Sequence, residues 1–118
     1  MPVSDDYLAY VADQLTCLGR VESKRMFGGV GIYFKDLFFA IIADDCLYFK
    51  VDDSNRPDYQ AAGMEPFRPF EDKTAVMSYY EVPIDVLENR DRLRDWAQKA
   101  LAVARVKKNR QKKHRKTS

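Results

Sequence analysis

The run LFFAIIA at positions 37–43 constrains this chain more than any other stretch. It is far shorter than the roughly 18 apolar residues of a membrane span. It is bounded by short polar pairs, Lys35-Asp36 before it and Asp44-Asp45 after it, and beyond these stand VGIYF (30–34) and CLYFKV (46–51). Two-residue polar connections between β-branched and aromatic runs indicate hairpins, so three antiparallel strands are expected side by side. Neither connection contains glycine, so the turn type stays open. Strict alternation would put Leu37, Phe39, Ile41 and Ala43 on one face and Phe38, Ala40 and Ile42 on the other. Both sets are apolar, which predicts a central strand covered on both sides. In the last run Leu47, Phe49 and Val51 face one way, and Tyr48 and Lys50 the other.

Helices frame these strands. In SDDYLAYVADQLTCLG, Ser4 is a plausible N-cap, and Asp5 and Asp6 suit the positive end of the helix dipole. Leu8, Val11, Ala12, Leu15 and Leu18 recur at helical spacing, and Gly19 is a good stop. DDSNRPDYQAAG (52–63) reads as a short helix capped by Asp53 or Ser54 and ended by Gly63. EPFRPF (65–70) carries two prolines, which confine a strand there to a sheet edge. It is expected to pair with AVMSYYEV (75–82) across Glu71 to Thr74. Leu93, Trp96, Ala97, Ala100, Leu101 and Ala104 form the stripe of an amphipathic helix, with Asn89 as its cap. The predicted order is α-β-β-β-α-β-β-α, a two-layer α+β domain with helices on one face of an antiparallel sheet.

The formal charge of +2 over 118 residues hides an asymmetry. Residues 105–118, RVKKNRQKKHRKTS, hold eight Lys or Arg and no acid, which leaves 12 bases against 18 acids in residues 1–104. An acidic domain (1–104) therefore carries a basic tail (105–118) that is expected to be disordered. Arg105, Lys107, Lys108, Arg110, Lys112, Lys113, Arg115 and Lys116 are candidates to neutralise nucleic-acid phosphates without reading bases. The alternatives are a tail that serves solubility or folds back on the acidic body. The N-terminus lacks the basic and apolar regions of a signal peptide, so the expected location is the cytoplasm and no membrane contact is expected.

Catalytic candidates are few. The glycines of RMFGGVGIYF (25–34) fail the GxGxxG spacing at Phe34, and no Lys-Ser or Lys-Thr pair follows for a phosphate loop. A strand follows where a helix is required, so a turn or bulge at Gly28 and Gly29 is the better reading. The stretch also misplaces the aromatics of the RNA-binding strand motif. Asp44-Asp45 and Asp52-Asp53 fall at a predicted turn and a helix start, where Asp serves local hydrogen bonding. The only histidine, His114, sits in the tail, so Cys17 and Cys46 have no evident base. No zinc spacing occurs. The expectation is a non-enzymatic chain without cofactor, metal or small-molecule ligand. A second expected surface is a tyrosine-rich sheet face, with Tyr33, Phe38, Ile42, Tyr48 and Tyr79 as candidates for a homodimer or partner interface. The alternative there is a helix packed behind the sheet, or tyrosines that are merely half-exposed.

The stretches KRMFGGVGIYF, FFAIIADDCLYFKVD, YQAAGMEPFRPF and MSYYEVPIDVLENRDRLRDWAQKALAVAR together resemble the N-terminal domain of the TfoX/Sxy family over roughly residues 5–105. Arg25, Met26, Phe27, Gly28 and Gly29 match its signature. The resemblance implies a small fold similar to secretion chaperones, of α-β3-α-β2-α order, and no catalytic residues. It also implies a regulatory role, since the best-known members regulate natural competence with the cyclic AMP receptor protein. Those regulators pair this domain with a helical C-terminal domain. Here a basic tail stands in that place.

Overall fold

A computed structural model describes residues 3–26, 29–68 and 76–116. Helix α1 (Asp5–Gln14) begins as the sequence indicates: the Ser4 hydroxyl accepts from the Tyr7 amide at 3.1 Å. A short 3-10 turn (Leu15–Leu18) follows, and Gly19 takes φ 116° to leave it. Six strands come next in an antiparallel sheet: β1 (Glu22–Met26), β2 (Gly29–Phe34), β3 (Leu37–Ala43), β4 (Cys46–Lys50), β5 (Pro66–Phe67) and β6 (Val76–Glu81). Their order across the sheet is β1-β2-β3-β4-β6-β5. Helix α2 (Arg56–Ala61) links β4 to β5, and α3 (Ile84–Leu87) leads into α4 (Arg90–Lys116). The fold is α+β, as expected.

Several details differ from the sequence reading. The sheet opens with β1, one strand earlier than VGIYF; its residues ESKRM lack apolar alternation because the strand is an exposed edge paired only to β2. The 3-10 turn and α3 extend the expected order. Of the turn or bulge expected at Gly28 and Gly29, Gly29 begins β2 and Gly28 lies outside the described residues, as does the connection at 71–74. Helix α2 starts at Arg56 after Asn55, not at Asp53 or Ser54, because the Asn55 amide group turns back to the β4 end. Its Oδ1 accepts from the Asp52 amide at 2.9 Å and its Nδ2 donates to the Lys50 carbonyl at 3.2 Å. The two glycine-free hairpins place Lys35, Asp36, Asp44 and Asp45 at φ between 49° and 66°. Positive φ at both central residues is the type I′ geometry that matches strand twist. The paired acids at 44–45 are thus turn residues.

The strict alternation assumed for β3 fails at one place. Ile32 pairs with Ala40 but Tyr33 with Phe38, so Phe39 is an extra residue in the ladder. This β-bulge turns Phe39 and Ala40 toward the same side, and Leu37, Phe39, Ala40 and Ile42 are all buried. They meet Val30, Ile32, Leu47 and Phe49 from the sheet and Leu93, Ala97, Ala100, Leu101 and Ala104 from α4 in one core. Tyr59 of α2 packs on Tyr80 and edge-on to Trp96, with centroids 5.8 and 4.7 Å apart. Gln14, buried at the end of α1, donates to the Leu87 carbonyl at 2.8 Å, and Arg90 reaches Gln14 and Asp13. These contacts fix α1 against the α3–α4 junction. Asn89 caps α4 through the Asp91 and Arg92 amides.

Beyond Ala104 the helix does not stop. The sequence reading ended the ordered domain at 104, whereas the backbone is helical through Lys116. Lys and Arg have good helix propensity, and the stretch contains no Gly or Pro to break it. No helix among the described residues is long and apolar enough to cross a membrane.

Candidate functional site

Alternation on β4 puts Leu47 and Phe49 in the core and sends Tyr48 and Lys50 to the opposite face. Tyr79, the register partner of Lys50 on β6, shares that face. On the first half of β3 Phe38 does too. The outcome is an aromatic surface: Tyr33 stacks on Phe38 at 4.9 Å, Phe38 meets Tyr79 at 6.1 Å, and Tyr48 meets Phe67 at 4.7 Å. Tyr33, Phe38, Ile41, Tyr48 and Phe67 are half-buried, so among the described residues no helix seals this side. Of the five residues expected on a tyrosine-rich face, four are there. Ile42 is not: the bulge at Phe39 turns it into the core, where it is 0% exposed. Ile41 takes its place. Burial pushes the hydroxyls of Tyr48 and Tyr79 up to about 12.

Lys50 is the residue that sequence reasoning passed over. It is only 7% exposed, yet no carboxylate lies within ion-pair distance among the described residues. Its ammonium sits instead 5.3 Å from the Phe38 ring centroid and 5.6 Å from that of Tyr79. Burial, with a smaller contribution from the Lys107 charge, pulls this amine down to about 8. Lys50 lines a groove of about 340 Å³ between the sheet and α4, with Asp36, Leu37, Ala104, Lys107 and Lys108 as further walls. The signal was visible: Lys50 is the lone cation in the apolar run CLYFKV.

The remaining candidates are placed as follows. Arg105 and Lys107 are exposed on α4 and Lys108 is half-buried beside the groove. Arg110, Lys112, Lys113, Arg115 and Lys116 lie on the same helix, and their side chains lie outside the described ones. In the signature stretch, Arg25 pairs with Asp5 at 2.7 Å on the surface, Met26 ends β1 and Gly29 begins β2. Cys17 and Cys46 are free, and burial raises both thiols above their ordinary value, which disfavours the reactive thiolate. Among the described residues no cluster of His, Cys, Asp or Glu could hold a metal ion.

A six-stranded antiparallel sheet with helices on one side, an aromatic outer face and a basic C-terminal helix defines a small α+β domain built around exposed surfaces. The family model described as the TfoX N-terminal domain matches residues 13–104, and the chain belongs to that family. It is also similar to the DNA transformation protein TfoX1 of Aliivibrio fischeri (strain ATCC 700601 / ES114), at 32% identity over 66 residues. That match covers 55% of this chain and 32% of the relative, so the chain spans about a third of the relative's length.

Proposed function

We propose that this chain is a regulatory adaptor that acts by binding, in the process its relative is named for, DNA transformation, and that its C-terminal helix contacts nucleic-acid phosphates. One boundary carries the reading. The family match ends at Ala104, the last core residue of α4 among the described side chains, while the helix continues to Lys116 with eight Lys or Arg and no acid. A helical stretch that adds no core residue among the described side chains and concentrates one sign of charge suits a polyanion. Such contacts position a protein on a duplex without reading its bases. Raised thiol pKa values and a sole histidine on this helix accord with binding rather than catalysis. The test is an anisotropy titration of labelled duplex DNA with the full chain and with a chain ending at Ala104. The full chain is expected to bind at low salt and the shortened chain to lose most of that affinity; equal binding would end the proposal.

A second reading is favoured by the half-buried aromatics of the outer sheet face. There the chain docks a protein partner or a second copy through Tyr33, Phe38, Tyr48 and Tyr79. Tyr48→Asp is expected to dissociate such a complex in light scattering and to leave DNA binding unchanged. A monomeric mass at micromolar concentration would count against the second copy.

A further inference from the structure

We infer that the groove between the sheet and α4, lined from the sheet by Leu37, Phe38, Lys50 and Tyr79, is a binding site for a phosphoryl group, held by Lys50 together with Lys107 and Lys108. Three lysines, Lys50, Lys107 and Lys108, line it, against one acid among the described lining residues, Asp36 at the exposed β2–β3 turn. Like charges brought together repel, and a buried cation without an anionic partner is costly. The fold nevertheless holds Lys50 in place: its stem is packed in β4, its ammonium lies over two ring faces, and the groove leaves the rest of its hydrogen-bonding capacity free among the described residues. Ring faces stabilise a cation but accept no directed hydrogen bond from its remaining N–H groups. A phosphate oxyanion supplies what is missing, acceptors for Lys50 and a counter-charge for Lys107 and Lys108. The apolar walls of Leu37, Phe38 and Ala104 lower the local dielectric and strengthen each charge-assisted bond. The groove of about 340 Å³ has room for a phosphate and part of its substituent. The site shares Lys107 and Lys108 with the proposed nucleic-acid contact of the C-terminal helix, but Lys50 belongs to the groove alone, so Lys50→Met tests the site apart from that contact.

The test is an amide chemical-shift titration of the full chain with inorganic phosphate against chloride at matched ionic strength. Saturable shifts are expected at Phe38, Lys50, Tyr79, Lys107 and Lys108. Lys50→Met keeps the length of the side chain and removes the charge, and it is expected to weaken binding about tenfold or more. The pair Lys107→Gln and Lys108→Gln, outside the core, is expected to do the same, whereas Lys99→Gln on the same helix leaves binding unchanged. Two further arms, a nucleoside monophosphate and a short duplex, identify the source. Shifts of these amides by the monophosphate alone mean a small phosphorylated ligand. Shifts by the duplex that Lys50→Met abolishes mean a backbone phosphate. Shifts identical with phosphate and chloride, or shifts undiminished in Lys50→Met, overturn the site.

Discussion

Replacing Lys50 by Met should stabilise the domain at neutral pH, and the gain should disappear in alkali. The amine ordinarily titrates near 10.5 and is pulled down to about 8 in the fold. At about 1.4 kcal/mol per pKa unit, holding it charged costs about 3 kcal/mol. Solvent entering the open groove and the two ring faces reduce this to about 1.5 kcal/mol. The sign follows from proton counting. Between pH 8 and 10.5 the unfolded chain holds a proton on Lys50 that the folded chain has released, so wild-type stability gains from this group as pH rises. Below pH 8 both states are protonated and the full cost is present. The Met variant has no such group. Its advantage should be about 1.5 kcal/mol at pH 7 and near zero above pH 10.5. The raised tyrosines affect both proteins alike and cancel in the difference. Urea unfolding followed by Trp96 fluorescence at pH 7, 9 and 11 measures it. A difference independent of pH, or a variant less stable at pH 7, would show that the Lys50 ammonium is not desolvated as described.

Two further substitutions follow from single observations. The Tyr59 hydroxyl is buried without a hydrogen-bond partner among the described residues, and its ring is 1% exposed. Tyr59→Phe should therefore raise stability by about 1 kcal/mol in urea melts, since an unsatisfied buried polar group is removed while the contacts to Trp96 and Tyr80 remain. Asp36 holds φ 66° in its turn and is the only acid among the described residues that line the groove. Asp36→Gly should stabilise the hairpin by roughly 0.5–1 kcal/mol and tighten phosphate binding in the same shift titration.

Much of the fold was legible because local signals agreed with one another. The caps Ser4 and Asn89, the stripe from Leu93 to Ala104 and the apolar runs of β2, β3 and β4 each had one sensible reading. Three features were hidden for physical reasons. Strand β1 is an exposed edge whose side chains carry no period. The bulge at Phe39 breaks alternation inside a strand that is apolar on both sides, so no polar residue marks the change of face, and Ile42 was assigned to the wrong side. The continuation of α4 past Ala104 rests on backbone propensity alone, because the stripe has ended. The groove was less legible still. Lys50 stood out as a cation in an apolar strand, but its environment comes from Phe38 across the bulge, Tyr79 across the ladder and Lys107 on a helix far away in sequence. Only the assembled sheet brings them together.

The central claim is that the chain works by binding and that the helix beyond Ala104 meets nucleic acid through charge. Its most direct test is the salt dependence of duplex binding by the full chain and by the chain ending at Ala104. If as many as eight cations met phosphates, the slope of log affinity against log salt would approach about −7. Partial engagement gives a smaller but still steep value. The expected result is a steep slope for the full chain and a shallow one, with little residual affinity, for the shortened chain. Equal slopes, or a full-chain affinity that salt leaves unchanged, would contradict it.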